Sequence, residues 1–492
     1  MRYSVPVNAA SEVSALAAAG ASELYCGYMD AWWAERYGNH DSVSRRQGAA
    51  NIRTPNELKT TIEAAQRAGV PLHLALNTRY TEPMLDYLEE LCVCFEQWGG
   101  TGVILSDLGL MWRLRNRDGL TKTLSILAVA QNTETVRAYA RLGIARVVLP
   151  RFMEPSDAAS LLLEMPHIEA ASMVFFDKCP WVDGYCRHRH GVSYPKREDT
   201  GDDTAPPLFT FDTNYETHAC LGSACDYLAP HPCAACQLNA LEDAGVHTAK
   251  LGGRGRPLEE RLRALRFLKV AHQLDGDEQR RALYRHTFGH ECSCYFGPYT
   301  QSRSALEPVD LPRTNESRRF LGSETSTQEF LRAIKELCWG RAVLESGSAA
   351  SLTLLVPPLS NAEQRMLAEA LPQVAAHLPS HAHIAVNDLG TLTLLSHMLR
   401  KLNQDADTLP TLTLGTLLAR MDDPHEVERF LSPERNPNRA IWDLDGNPRT
   451  LTWARPPQTL IEHWRRPSST EPSAKQALLW LCGTDDIPYE GT

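Results

Sequence analysis

Short apolar runs alternate with helical patterns through the first 275 residues of the chain. Eight of these runs have the length and composition of strands, and helical patterns lie between most of them. Eight strands alternating with helices predict an α/β fold, a (β/α)8 TIM-like barrel. The predicted strands are Arg2–Val7, Glu23–Cys26, Leu72–Leu76, Gly102–Leu105, Thr123–Val129, Arg146–Leu149, Ser172–Phe176 and His247–Leu251.

The start of one barrel helix is well marked. Thr54 is the predicted N-cap, Pro55 lies in the first turn, and Glu57 completes a capping box. Gly69 is expected to end this helix, and Gly143 to end another over Glu134–Leu142.

Polar residues follow the predicted strands. In a (β/α)8 barrel the chemistry lies where strands end and βα-loops begin, so these residues are expected to converge. Polar residues also commonly end strands, and the expectation therefore depends on the set rather than on any single member. The candidate catalytic residues are Asn77, Asp107, Gln131, Arg151, Lys250 and Arg254.

The second half of the chain echoes the first. Asp107-Leu-Gly follows an apolar strand in the first half, and Asp388-Leu-Gly follows one in the second, in matching order and spacing. This predicts residues 1–302 as the barrel, 303–330 as a linker, and 331–492 as a C-terminal α/β domain that is a diverged partial repeat. A chance match of short motifs is the alternative.

Charge and hydropathy narrow the function classes. The 50 Lys+Arg against 60 Asp+Glu give a net charge of −10. This charge disfavours a large phosphate-binding surface on the protein, and therefore RNA as a partner. No run of 18 apolar residues predicts a membrane span, and the first residues do not resemble a secretory signal. A cytoplasmic location, where thiols stay reduced, is expected.

Cysteine is the unusual residue, with 13 copies. Six fall in one stretch without a regular apolar period, which predicts a metal site. Four thiolates bind zinc or an iron–sulfur cluster, and the wide spacing suits a cluster at a barrel mouth better than a compact zinc knuckle, although spacing alone does not decide the metal. The candidate ligands are Cys179, Cys186, Cys220, Cys225, Cys233 and Cys236.

A basic run follows Cys186 directly. Arg187, His188 and His190 are candidates for binding an anionic small molecule such as a polycarboxylate, since arginine pairs with carboxylates through two hydrogen bonds. A solvated basic turn is the alternative interpretation.

The strand-end motifs in combination resemble the collagenase-like peptidase family U-32. The matching stretches are Glu-Leu-Tyr-Cys-Gly (23–27), Leu-Ala-Leu-Asn-Thr (74–78), Val-Ile-Leu-Ser-Asp-Leu-Gly (103–109), Arg-Val-Val-Leu-Pro-Arg (146–151), Cys-x6-Cys (179–186) and Lys-Leu-Gly-Gly-Arg (250–254). The resemblance covers roughly residues 1–300. It extends to members that act in oxygen-independent hydroxylation, the ubiquinone-biosynthesis pair UbiU and UbiV and proteins that hydroxylate RNA.

The resemblance implies a [4Fe–4S] cluster on four cysteines and prephenate as oxygen donor. Cys179 and Cys186 match the family's Cys-x6-Cys ligands and Cys233 a later one, while Cys220, Cys225 and Cys236 compete for the remaining place. The chain departs from the family pattern at two places. Phe152 stands where the family has Glu after Arg151, and Lys250-Leu-Gly-Gly-Arg254 lacks the usual acid.

Three hypotheses follow for the function. The leading one is an iron–sulfur hydroxylase of a small molecule or RNA, in which Lys250, Arg254 and Arg151 neutralise an anionic donor. The alternative is a peptidase or other hydrolase with a structural zinc site, although neither His-Glu-x-x-His nor Gly-x-Ser-x-Gly is present. The third is a non-catalytic role for the C-terminal half, either as a docking module or as a pseudo-copy that mimics a heterodimer partner within one chain. A protein partner or a homo-oligomer is possible.

Overall fold

A computed structural model describes most of the barrel and parts of the second half of the chain. The described residues are 1–37, 43–44, 50–78, 80, 82–151, 153–177, 232–292, 353–356, 361, 364–365, 367–369, 383–386, 389–402 and 411–414. Among them, no helix is long and apolar enough to cross a membrane.

Eight parallel strands close into a barrel. Strand β1 pairs with β2 on one side and with the last barrel strand, β9, on the other, so the sheet has no open edge in this ring. A short ninth strand, β3, pairs with β2 outside the ring. The strands are β1 (Arg2–Pro6), β2 (Glu23–Tyr28), β3 (Asn51–Ile52), β4 (Leu72–Leu76), β5 (Gly102–Leu105), β6 (Thr121–Leu124), β7 (Arg146–Val148), β8 (Glu169–Phe175) and β9 (Val246–Leu251).

Helices surround the barrel. Alternate strand residues such as Leu24, Leu74 and Val103 point outward and are fully buried against these helices, which accounts for the near-continuous apolar strands of a parallel sheet. The helices are α1 (Ala10–Ala18), α2 (Ala31–Tyr37), α3 (Pro55–Arg67), α4 (Glu82–Gln97), α5 (Leu108–Leu114), α6 (Thr133–Arg141), α7 (Pro155–Glu164), α8 (Leu238–Asp243), α9 (Leu258–His272) and α10 (Asp277–Phe288).

The predicted barrel is confirmed, and each of the eight predicted strands coincides with one of its strands. Several predicted boundaries differ from the observed ones by one to three residues, and one differs by more. The strand predicted over Thr123–Val129 ends at Leu124, because Ser125 caps a 3-10 turn over Ile126–Ala128. Val129 then adopts a left-handed conformation with φ 52°, which no strand pattern predicts.

The predicted capping box is present in helix α3. The Thr54 side chain accepts a hydrogen bond from the Glu57 backbone, and the Glu57 carboxylate accepts one from the Thr54 backbone. Gly69 follows the helix with φ +67°, as its predicted role as terminator requires.

A chain of charges closes the barrel interior at the amino ends of the strands. Arg146 in β7 donates two hydrogen bonds, at 2.7 and 2.9 Å, to Glu23 in β2. These strands lie on opposite sides of the ring, so the pair crosses the interior. Glu169 accepts from Arg146 at 3.0 Å and from Arg2 at 2.6 Å, and the four residues form the barrel floor.

His73 lies beside this floor as a neutral side chain. Its Nε2 is 3.9 Å from the Glu23 carboxylate, and burial lowers the pKa of His73 to about 4 even though Glu23 favours protonation. Burial acts to raise the pKa of Glu23, but His73 and Arg146 outweigh it and hold the value at about 2. The interior at neutral pH therefore holds a Glu23 carboxylate paired with Arg146.

The C-terminal half contributes a small parallel sheet. Strands β10 (Thr353–Val356), β11 (His383–Val386) and β12 (Thr411–Leu414) pair in chain order, and helix α11 (Leu389–Leu402) follows β11. The first residues of β10 and β11, 353 and 383, each lie 281 positions beyond those of β4 and β5, 72 and 102. This constant offset agrees with the predicted repeat, and the domain limits stay a prediction.

Helix α11 packs on barrel helix α6. Leu389, Leu392 and Leu395 are buried in the same apolar cluster as the barrel core. Asn361 accepts a hydrogen bond from the Thr133 backbone at 2.6 Å and donates one to its hydroxyl at 2.8 Å. The C-terminal half thus supplies a partner to the first turn of α6, whose backbone N–H groups lack partners within the helix.

Acid should weaken the fold through His73. Because burial lowers its pKa from about 6.5 to about 4, the unfolded chain binds a proton that the folded chain does not in this window. Stability is therefore expected to fall by on the order of 3 kcal/mol between pH 6.5 and pH 4. Urea unfolding at a series of pH values measures this loss, which His73→Gln should largely remove.

The matched control is His286→Gln, at an exposed position of helix α10. It should leave the pH dependence of the wild type in place. An equal acid-dependent loss in the His73→Gln and wild-type proteins would contradict the assignment.

A side chain at Gly390 should undock the C-terminal half. A Cβ there would collide with the Thr135 backbone nitrogen and the Asn132 amide oxygen. We expect Gly390→Val to accelerate amide hydrogen exchange in the first turn of α6 at least about tenfold, roughly 1.4 kcal/mol of lost protection. Gly276→Val is the control, because a Cβ at Gly276 meets open space. Unchanged protection in Gly390→Val would show that α11 does not protect α6.

Candidate active site at the barrel mouth

The backbone at the carboxyl ends of two strands is held in an unusual conformation. Phe176 and Asp177, directly after β8, both have positive φ, at 60° and 51°, as Val129 does after β6. Left-handed backbone costs non-glycine residues free energy and is often found at functional sites. The Asp177 carboxylate accepts a hydrogen bond from the Gly253 backbone at 2.8 Å and so connects the chain beyond β8 to the loop after β9.

Lys250 lies in the interior, on the aromatic face of Tyr25. The Lys250 Nζ is 3.2 Å from the centre of the Tyr25 ring, and the Tyr25 hydroxyl donates to the Leu251 carbonyl at 2.6 Å. That hydrogen bond fixes the ring against β9. A cation on an aromatic face is stabilised electrostatically, but less than by a carboxylate partner.

Burial lowers the pKa of Lys250 to about 7, and the positive charges of Arg254 and Arg146 act in the same direction. Glu23 opposes this shift, but its carboxylate is already bound by Arg146. Lys250 is therefore divided between its neutral and charged forms near neutral pH. The role predicted for Lys250, to help neutralise an anionic donor, stays a prediction.

Arg254 lies nearer the mouth than Lys250. Tyr25 and Gly27 are two residues apart on β2 and face the same side. The Arg254 guanidinium occupies the space that a Cβ of residue 27 would need, and so does the Asn51 side chain. Arg254 also donates to the Ser44 hydroxyl at 3.0 Å, so a guanidinium and an amine lie above one face of β2.

The other strand-end candidates have different surroundings. Asn77 donates to the Ser125 hydroxyl at 3.3 Å and connects β4 to the turn after β6. Asp107 is buried, and its carboxylate accepts backbone hydrogen bonds from Leu110 at 2.8 Å and Tyr80 at 3.2 Å. These bonds cap helix α5 and hold the loop after β4, so Asp107 has a structural role whether or not it contacts a substrate.

Gln131 and Arg151 also lie at the carboxyl ends of their strands, after β6 and β7, and both are half-buried. Gln131 immediately precedes Asn132, whose side chain caps helix α6 by accepting from the Thr135 backbone at 2.8 Å. Contact of Gln131 or Arg151 with a substrate stays a prediction.

Two of the six candidate metal ligands lie among the described residues. Cys233 is buried beside the end of β8, where its backbone forms an isolated antiparallel β-bridge with Phe175. Cys236 is half-buried in a 3-10 turn over Ala235–Gln237. Cys179, Cys186, Cys220 and Cys225 lie outside the described residues, as do Arg187, His188 and His190. Within the described part of the chain no group of three or more His, Cys, Asp or Glu side chains is arranged to bind a metal.

Cys292 is a site residue that the sequence did not single out. Its Sγ lies 3.1 Å from the Cys233 Sγ, across 59 positions of sequence. The residue follows the end of helix α10, which packs Phe288 against Phe175. Tyr25 and Gly27 were also missed as individual residues, although both belong to the Glu-Leu-Tyr-Cys-Gly stretch that carries the family resemblance.

The model of peptidase family U32 matches residues 8–296, which include every barrel strand except β1. The chain belongs to peptidase family U32. No curated protein matches it by sequence. The family match covers the part of the chain in which the motifs lie, and the likeness to UbiU and UbiV in particular stays a prediction.

Solved structures similar to this U32 chain have low scores. The U32 peptidase Mk0906 has a TM-score of 0.29 and 12% identity, over 35% of this chain and 68% of its own. The 2,3-dimethylmalate lyase of the PEP mutase/isocitrate lyase superfamily has a TM-score of 0.25 and 15% identity, over 35% of this chain and 66% of its own. At these scores the likeness adds nothing to the family assignment.

Gly27 should be sensitive to the smallest side chain. Its φ is not in the left-handed region, so Gly27→Ala acts by collision with Arg254 and Asn51 and not by backbone strain. We expect a loss of about 1–3 kcal/mol in the free energy of unfolding, typical of overpacking. Urea denaturation measures this. Gly276→Ala, where a Cβ meets open space, should cost less, and equal losses would contradict the packing argument.

Proposed function

We propose that this U32 protein is an iron–sulfur enzyme that hydroxylates its substrate without molecular oxygen and uses an anionic donor such as prephenate. The observation that carries a thiolate-bound metal centre is the contact between Cys233 and Cys292, whose sulfurs lie 3.1 Å apart at the carboxyl end of β8. The choice of an iron–sulfur cluster over zinc at that centre depends on the resemblance of the Cys-x6-Cys spacing to the family's iron–sulfur members. Chemistry in this fold takes place at that end of the barrel.

The donor set fits a thiolate-bound metal centre. Cys233 is 1% exposed, and a buried thiolate needs a compensating positive charge, which a metal ion supplies. Six cysteines between residues 179 and 236, with the Cys-x6-Cys spacing of the family's iron–sulfur members, offer enough further ligands. When bound, such a cluster supplies electrons and an iron site for oxygen transfer.

The residues of this chain would bind and orient the donor. Arg254 holds its charge at every physiological pH and pairs well with a carboxylate. The Asn77 amide and the Ser125 hydroxyl lie at the ends of β4 and β6, where they offer hydrogen bonds to a polar substrate. The net charge of −10 favours a small-molecule substrate over RNA.

Zinc is the second candidate metal, and one distance favours it. Two thiolates on a single tetrahedral zinc, each about 2.3 Å from the ion, lie about 3.8 Å apart. Thiolates bound to separate irons of a cluster stand further apart than that. The 3.1 Å separation of the Cys233 and Cys292 sulfurs is closer to the geometry of one shared ion.

The hydrolase alternative has less physical support. A cysteine nucleophile needs a depressed pKa and a neighbouring base. Burial raises the pKa of both Cys26 and Cys92 to about 12, which makes these two thiols inert. Peptide cleavage by this chain is thus suggested by the family's name and not by Cys26 or Cys92.

Metal analysis tests the proposal. Protein purified without oxygen should contain iron and acid-labile sulfide and absorb broadly at about 400 nm. Cys233→Ser should lose at least about half of the iron, because a serine hydroxyl is a poor replacement for a thiolate ligand. Iron, sulfide and zinc per chain are measured for both proteins. The wild-type protein should also consume prephenate anaerobically, and the variant should not.

Cys292→Ser and Cys92→Ser complete the series. Loss of metal in Cys292→Ser would add this residue to the ligands, and Cys92→Ser, buried in α4, should keep the wild-type metal content. Stoichiometric zinc without iron or sulfide would reject the iron–sulfur proposal in favour of zinc. Peptide cleavage by metal-free protein would favour the hydrolase.

A further inference from the structure

Lys250 differs from an ordinary buried lysine. Its Nζ lies 3.2 Å from the centre of the Tyr25 ring, and no hydrogen bond joins it to any residue that the structure describes. Buried ammonium groups are normally paired or hydrogen-bonded, since desolvation without compensation costs several kcal/mol, roughly. The residue is 8% exposed.

Lys122 shows what a structural lysine does in the same barrel. It is buried as well, and its Nζ donates to the carbonyls of Leu114, Arg115 and Arg117 at 2.6 to 3.4 Å. These bonds hold the C-terminal end of helix α5. Lys250 has no such structural role, because its amine is directed at a ring face in the interior.

Charged groups on β2, on β7 and in the loop after β9 act on the Lys250 amine. Arg146 from β7 and Arg254 beyond β9 repel its proton, and Glu23 from β2 attracts it. Glu23 is occupied by the two hydrogen bonds from Arg146, and His73 from β4 is neutral at pH 7. Together with burial, this balance lowers the pKa of Lys250 to about 7. In about half of the protein molecules the amine is therefore neutral and nucleophilic at neutral pH.

Arg254 supplies the second half of a binding site. The amine lies over Tyr25 and the guanidinium over Gly27, and the Cα atoms of residues two apart on one face of a strand are about 7 Å apart. The placement of both groups on one face of β2 suits a small acid whose carboxylate pairs with Arg254 while a carbonyl carbon two or three bonds away meets Lys250. The pairing of a nucleophilic amine with a carboxylate-binding cation selects a 2-oxo acid.

We infer that Lys250 is a reactive amine that forms an imine with a small 2-oxo acid held by Arg254. The Lys250 nitrogen forms a bond to the carbonyl carbon, and the carbonyl oxygen takes up protons and leaves as water. The step is a condensation and needs neither oxidant nor reductant. It does not depend on a metal centre, although prephenate is itself a 2-oxo acid, so this site would bind the donor of the proposed function.

Reductive trapping tests the inference directly. Full-length protein is incubated with pyruvate and sodium cyanoborohydride, which delivers hydride to the imine carbon while the nitrogen takes a proton from water. The intact mass should increase by one pyruvic acid less one oxygen atom. Peptide mapping should place the label on Lys250 and not on Lys122. A label spread over surface lysines with none on Lys250 would overturn the inference.

Two variants separate reactivity from folding. Lys250→Arg keeps a positive charge but offers no nucleophile, so its site-specific label should be at least about tenfold lower than in wild type. Thermal unfolding of the variant and of wild type is measured to show whether the variant folds. If Lys250→Arg does not fold, the peptide map of wild-type protein still decides. Arg254→Met should reduce labelling by pyruvate to about the level reached with acetone, a ketone that lacks the carboxylate. Equal selectivity in both proteins would remove Arg254 from the site.

The pH profile is an independent readout. An ordinary lysine gains about tenfold in neutral amine per pH unit between pH 7 and pH 9. Lys250, half neutral at pH 7, should gain only about twofold over that whole range. A steep profile at Lys250 would show an unactivated amine and contradict the inference. Because trapping is done on metal-free protein as well, its failure is distinguishable from failure of the iron–sulfur proposal.

Discussion

The ion pair between Glu23 and Arg146 determines how the rest of the barrel interior behaves. It crosses the barrel from β2 to β7, and its two hydrogen bonds use both oxygens of the carboxylate. Removing one partner of such a buried pair costs about 3–5 kcal/mol, because the other charge is left desolvated. The pair also withdraws Glu23 from Lys250, one layer nearer the mouth. The unusual Lys250 amine is therefore a consequence of the floor as much as of its own burial.

Stability and chemistry occupy opposite ends of the same strands. The floor consists of the first residues of β1, β2, β7 and β8, whereas Lys250 lies at the carboxyl end of β9 and Arg254 beyond it. In (β/α)8 barrels the carboxyl ends carry function and the amino ends carry stability, since βα-loops can vary without disturbing the ring. Strand β2 contributes to both ends. Its first residue, Glu23, belongs to the floor, and the absence of a side chain at Gly27 leaves room for Arg254 near the mouth.

The sequence allowed the barrel to be predicted because each strand has a local signal, an apolar run between helical patterns. The pairs that make the site have no local signal. Glu23 and Arg146 are 123 positions apart and meet across the closed ring. Cys233 and Cys292 are 59 apart and meet because Cys233 and helix α10 both lie against Phe175. Asp107 was predicted as a site residue, and the structure adds a structural role, since each of its oxygens accepts a hydrogen bond from a backbone N–H group. A carboxylate that caps a helix and one that binds a ligand look alike in sequence.

The C-terminal half joins the barrel on the side where the chemistry is expected. Each barrel helix begins near the carboxyl end of the preceding strand, so the first turn of α6 lies at the mouth. Asn361 binds Thr133 in that turn, and Gly390 donates to the Thr135 hydroxyl at 3.1 Å. Gln131 lies two residues before Thr133. A displacement of the C-terminal half would therefore act on backbone two residues from Gln131. That half can influence the site in this way, although its own described strands carry no candidate catalytic residue.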